Sequence, residues 1–116
     1  MNILYKFFYN MRKGLTRGED IQKIDYRTLQ NLMKENGNII LLDVRSRKEF
    51  CEGHLLGAVN IPLCELKNKI NFLVPNKGQT IIVYCQMGGR SEKAGRMLKR
   101  MGYINIFELD GGLEGI

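Results

Sequence analysis

From residue 21 onward, short continuous apolar runs alternate with stretches whose apolar residues recur every three or four positions. The runs read as strands and the periodic stretches as helices with one buried face. Ile21 and Ile24 suggest a short first strand. Asp25 is then the expected N-cap of a helix that places Tyr26, Leu29 and Met33 on one face and that Gly37 can end. Residues 39–44, IILLDV, are apolar except for Asp43, as in a strand covered on both faces. Ser46 and Glu49 have capping-box spacing, so a helical turn with Phe50 packed inward is predicted next. Gly53 and Gly57 bracket a turn, and residues 58–61 form a short strand ended by Pro62. Leu63, Leu66, Ile70 and Leu73 return to helical spacing before Pro75 and Gly78 break the chain.

Residues 81–100, IIVYCQMGGRSEKAGRMLKR, organise the rest. The run Ile81, Ile82, Val83 and Tyr84 halts at Cys85, and the chain crosses a loop holding Gly88 and Gly89 and enters a helical pattern at Ser91. Ala94, Met97, Leu98 and Met101 form its buried stripe, while Lys93, Arg96, Lys99 and Arg100 face water. Gly102 is its expected stop. Residues 104–109 predict a last strand, and Gly111 and Gly112 a turn or short helix. Strands alternating with helices in this way predict an α/β fold, a parallel sheet with helices on both faces.

The opening twenty residues differ in pattern. Leu4, Phe7, Phe8, Met11 and Leu15 share one helical face, with Lys6, Arg12, Lys13 and Arg17 elsewhere, which predicts an amphipathic helical extension over residues 1–20 ahead of a domain at 21–116. Lys6, Asn2 and Asn10 interrupt any apolar run, so the segment is too short for a membrane span and lacks a signal-peptide core. Two readings remain for residues 1–17: a basic-flanked contact with a membrane surface, or an arm packed on its own domain or a partner.

The chain of 116 residues suits one domain with a real core. Its formal charge of +6 attracts anions, but the cations are scattered and no aromatic–basic interleaving accompanies them, so nucleic acid is not an expected partner. Three cysteines with no C-x-x-C, and a single histidine, supply neither a disulfide framework nor a zinc set. Reduced thiols in a cytoplasmic compartment fit this composition, with the membrane surface as the alternative site for the N-terminal segment.

Cys85 carries the candidate chemistry. It sits at the carboxyl end of a predicted parallel strand and just before a helix N-terminus, where ligands bind and negative charge is favoured. A cysteine there ionises readily, and the thiolate is the nucleophile. Asp43, near the end of a buried strand, needs a cationic or N–H partner that Arg45 or Arg90 can supply. Cys51 and Cys64 read as structural or incidental, and His54 as a turn-packing residue.

The segments LLDVRSRKEF, GHLLGAVNIPL, IIVYCQMGGRS and LDGG, in this order and spacing, resemble the single-domain rhodanese family of sulfurtransferases. The likeness spans residues 21–116; Leu56 departs from it where the family often has proline. It implies a five-stranded, mostly parallel sheet flanked by helices, with Cys85 carrying sulfur as a persulfide. It further implies that Gln86, Met87, Gly88, Gly89, Arg90 and Ser91 surround that sulfur, supported by Asp43 and Arg45. Small sulfur-containing anions such as thiosulfate are the implied donors, and cyanide, a thiol or a protein thiol the acceptors. No metal or organic cofactor is implied. Cys85 and Arg90 form C-x4-R, one residue shorter than the C-x5-R loop of cysteine phosphatases, and the narrower ring favours a single sulfur atom over phosphate. A persulfide carrier acting through a protein partner, a phosphatase or arsenate reductase, and a membrane-recruited adaptor are the competing readings.

Overall fold

A computed structural model describes residues 21–116, so the predicted N-terminal helix lies outside the described residues. The elements run β1 (Gln22–Ile24), α1 (Tyr26–Glu35), β2 (Ile39–Asp43), α2 (Arg47–Glu52), β3 (Val59–Asn60), α3 (Leu63–Leu73), β4 (Thr80–Tyr84), α4 (Gly89–Arg100) and β5 (Ile106–Leu109), ending in a 3-10 turn at Gly112–Gly115. The five strands form one sheet in the order β1-β5-β4-β2-β3. All four pairings are parallel.

The central strand β4 shows why both faces must be covered. Ile81, Val83 and Cys85 alternate with Ile82 and Tyr84, and all five are buried. The first set packs with Leu42 and Ile106 against Leu66 and Ile70 of α3 and Ala94 and Leu98 of α4. The second packs with Leu41, Phe107 and Leu109 against Leu29 and Leu32 of α1. Each such aliphatic side chain contributes about 1.5–3 kcal/mol on burial, so the alternation in β4 fixes which side of the sheet Cys85 joins. That side is the one roofed by α4.

Local signals explain most element ends. Thr28 N–H donates to Asp25 Oδ1 at 2.8 Å, closing the predicted N-cap of α1. The capping box of α2 is complete, with Glu49 N–H donating to Ser46 Oγ at 3.2 Å and Ser46 N–H to Glu49 Oε1 at 3.2 Å. Four expectations shift. Asn36 rather than Gly37 ends α1, because the Asn36 side chain takes the Asn38 N–H at 2.8 Å and holds the turn itself. Helix α4 begins at Gly89, two residues before Ser91, since the loop is already wound by Gly88. Leu73 is 41% exposed, and Val74, one residue later, is buried in its place. The last strand starts at Ile106; Ile104 is 57% exposed, and its N–H is held by the Lys77 carbonyl.

Candidate functional site

Cys85 follows β4 directly, so its sulfur stands at the carboxyl end of the sheet under the first turn of α4. The chain reverses through Gln86, Met87 and Gly88, and the Gly88 φ of +117° is a conformation that side chains resist, which explains glycine there. That turn aims donors inward. Gly88 N–H donates to Cys85 Sγ at 3.1 Å and Ser91 N–H at 3.3 Å, while Ser91 Oγ lies 3.4 Å away. Burial pushes the Cys85 thiol pKa up, but the Ser91 hydroxyl and the Ser91, Gly88 and Met87 amides outweigh it and bring it below the ordinary thiol value. The residue itself is 1% exposed.

The supporting residues divide into two pairs. Asp43 and Arg45 flank the end of β2 and are joined side by side, with Arg45 Nε 3.1 Å from both Asp43 oxygens and Nη2 2.8 Å from Oδ2. Nη2 also donates to the Gly53 carbonyl at 2.7 Å, and Nη1 reaches Gln86 Oε1 at 3.4 Å, so the pair touches the first residue of the sulfur loop. Asn60 of β3 donates to the Asp43 and Arg45 carbonyls, each at 2.9 Å. Arg90 does not join this group. Its guanidinium forks onto Glu49 of α2 at 2.6 and 2.9 Å, which corrects the expectation that it can brace the loop through Asp43. Asp43 already has a shorter-range cation two residues away, and Arg90 lies on α4 opposite the capping-box glutamate.

That second pair carries a pH signature. Hydrogen bonding from Arg90 holds the Glu49 carboxyl at about 2, below its ordinary 4.5. A depressed acid contributes stability above its unfolded value and loses it as pH falls through the folded value. Both side chains are about a third exposed, so the pair contributes at most about 1 kcal/mol. Urea unfolding of wild type and Glu49→Gln is therefore expected to differ by a constant small amount above pH 4.5 and to converge as pH falls toward 2. A gap that widens on acidification would show that Arg90 does not hold Glu49 in solution.

The chain's last turn straps the loop down. Leu113 N–H donates to the Cys85 carbonyl and Glu114 N–H to the Gln86 carbonyl, both at 3.0 Å. Gly112 makes this approach possible, since a Cβ there would stand 2.5 Å from the Cys85 oxygen and its φ is +63°. Gly112→Ala is expected to destabilise the fold by about 1–3 kcal/mol, through strained backbone and displaced loop carbonyls. A urea midpoint unchanged from wild type would contradict it. Sequence reasoning took this glycine only for a turn, because its contact is with a segment more than twenty residues earlier.

The remaining candidates are peripheral. Cys51 and Cys64 are exposed free thiols. His54 stacks on Phe50 with ring centroids 3.6 Å apart, and its Nδ1 lies 2.7 Å from the Phe50 carbonyl, as a turn-packing residue would. Phe50 is half-buried beneath it rather than in the core. No helix among the described residues is long and apolar enough to cross a membrane.

A family model described as the rhodanese-like domain matches residues 25–116. Over 75 residues the chain is 43% identical to the thiosulfate sulfurtransferase PspE of Escherichia coli (strain K12), covering 65% of this chain and 71% of that protein. It is 36% identical over 87 residues to the tRNA uridine(34) hydroxylase of Buchnera aphidicola, covering 72% of this chain but only 28% of that enzyme. The human single-domain sulfurtransferase TSTD1 superposes with a TM-score of 0.73 at 27% identity, over 83% of this chain and 95% of that one.

Proposed function

The chain belongs to the rhodanese-like domain family, and from that membership we propose that it is a sulfurtransferase. It takes sulfane sulfur from thiosulfate or a related donor onto Cys85 and passes it to a thiophilic acceptor. The observation that carries this reading is the pair of backbone N–H groups, from Gly88 and Ser91, that converge on Cys85 Sγ at the mouth of a helix, with the Ser91 hydroxyl 3.4 Å away.

The chemistry follows from those contacts. The Cys85 thiolate attacks the outer sulfur of thiosulfate, a new S–S bond forms to Sγ, and sulfite leaves with the electrons of the broken S–S bond. The terminal persulfide sulfur is anionic, and the loop N–H groups from Gln86 to Ser91 would hold it as an oxyanion hole holds oxygen. Cyanide or a thiolate then takes that sulfur and returns the Cys85 thiolate, giving double-displacement kinetics. Burial of Cys85 restricts the donor to one that can project a single sulfur into the loop. No metal or organic cofactor takes part in this sequence.

Intact-protein mass tests it. After brief exposure to thiosulfate, wild type should gain one sulfur atom, lose it to cyanide, and carry it on the peptide containing Cys85. No gain would sink the thiosulfate reading. A second reading is favoured by Met87, which is 71% exposed on the outside of the loop that holds a buried sulfur. An apolar side chain there offers a contact to a protein acceptor, making the chain a persulfide carrier. Negligible turnover of free thiosulfate with fast transfer to a protein thiol would support the carrier.

A further inference from the structure

Glu108 lies within β5 at 1% exposure, on the α4 side of the sheet. Its Oε2 is 2.5 Å from Ser91 Oγ, and its Oε1 has no hydrogen-bond partner. The same Ser91 Oγ is 3.1 Å from the Gly88 carbonyl and 3.4 Å from Cys85 Sγ. A hydroxyl has one hydrogen to donate. Were Glu108 ionised, carboxylate, carbonyl and thiolate would all compete for it, and the carboxylate is closest. The sulfur would then face an oxygen lone pair, and Oε1 would be a charged oxygen left bare in the core.

A neutral Glu108 eases both conflicts. Its own O–H donates to Ser91 Oγ across the 2.5 Å contact, which leaves the Ser91 hydrogen between the Gly88 carbonyl at 3.1 Å and the sulfur at 3.4 Å, of which the thiolate is the charged acceptor, and Oε1 becomes a carbonyl oxygen whose missing partner costs far less. The surrounding charges are Lys23 of β1, in register with Glu108, together with Glu92 of α4, Asp110 after β5 and Cys85 itself. Burial leads in raising the Glu108 pKa, with Glu92 and Asp110 adding to it and the Ser91 contact and Lys23 opposing.

We infer that Glu108 is a positioning residue for the sulfur site, held as a neutral carboxylic acid that donates to Ser91 Oγ and so directs the Ser91 hydrogen onto the Cys85 sulfur. The inference rests on the reading of Cys85 as a working thiolate, and it assigns to β5 a share in keeping that thiolate solvated by the protein. Ionisation of Glu108 as pH rises would turn the Ser91 hydrogen away.

Two measurements test it without any sulfur donor, in a Cys51→Ser/Cys64→Ser background. In the infrared spectrum at neutral pH, the carbonyl stretch of a protonated carboxylic acid should be present and should vanish in Glu108→Gln. Iodoacetamide labelling of Cys85 against pH should then be alike in the parent and Glu108→Gln at neutral pH, because the Gln amide also donates to Ser91. Ser91→Ala should slow labelling at neutral pH by about threefold to tenfold. As pH rises the parent should show a second inflection that Glu108→Gln lacks. Absence of the acid band, or labelling of Glu108→Gln several-fold faster than the parent at neutral pH, would overturn the inference. The acid band is read on the parent protein, so it decides the matter even where a variant folds poorly. Since neither readout depends on thiosulfate, failure of sulfur transfer and failure of this inference are separately visible.

Discussion

Cys85→Ser is expected to lower kcat/KM for sulfur transfer from thiosulfate to cyanide by about a thousandfold or more. The donors around Sγ stabilise a thiolate because its charge is spread over a large, polarisable atom whose pKa they have already brought below the ordinary thiol value. A serine hydroxyl in the same place starts several pKa units higher, so the same donors leave it un-ionised and without nucleophilic power at neutral pH. It also cannot form the S–S bond on which the second half of the reaction depends. The substitution buries a hydroxyl in a cluster with Val83, Ala94 and Leu98, but Ser91 and the Gly88 amide remain to bond it, so the variant should stay folded. Steady-state rates, with unfolding curves as the control, check this. Activity within tenfold of wild type in a folded Cys85→Ser protein would move the sulfur-carrying role elsewhere, and Cys51 and Cys64 are the exposed thiols to which it would move.

What could be read from the chain, and what could not, follows the range of the interactions. The halt of an apolar run at Cys85, the glycines after it and the helical period beyond are local, so the strand, loop and helix were legible, and the sulfur's place with them. Asp43 inside IILLDV announced a buried carboxylate that needed a cation, and two arginines qualified. Only the folded geometry separates them, putting Arg45 on Asp43 and Arg90 on Glu49. Glu49 itself was visible as a capping residue, and its caps are present, but its second task depends on α2 and α4 meeting across the site. Glu108 was hidden for a related reason. Within residues 104–109 a lone glutamate looks like the polar side of a half-covered strand, yet β5 lies between β1 and β4 and is buried throughout. Gly112 was legible as a turn and not as the point where the last turn touches the loop, because the clash that demands glycine is with the Cys85 and Gln86 backbone.

The largest loss of stability from a single substitution near the site is expected at Asp43. Its side chain is fully buried and that of Arg45 is 5% exposed. Inside the protein neither charge has water to fall back on, so the pair persists because each satisfies the other. Asp43→Ala leaves the guanidinium with the Gly53 carbonyl and a long contact to Gln86, and removes the carboxylate that also accepts the Arg45 N–H at 2.9 Å. Breaking a buried pair from one side in this way costs about 3–5 kcal/mol. Replacing both partners, as in Asp43→Ala/Arg45→Met, removes the orphaned charge and should recover a large part of that loss, a non-additivity that a double-mutant cycle in urea measures directly. The two variants should also separate stability from catalysis. The double variant alone loses the Arg45 contact to Gln86, so it should transfer sulfur more slowly than wild type even where it is nearly as stable. An Asp43→Ala protein within about 1 kcal/mol of wild type would mean that water reaches Arg45 in solution. The end of β2 would then be open, and the loop would have to be held by the last turn alone.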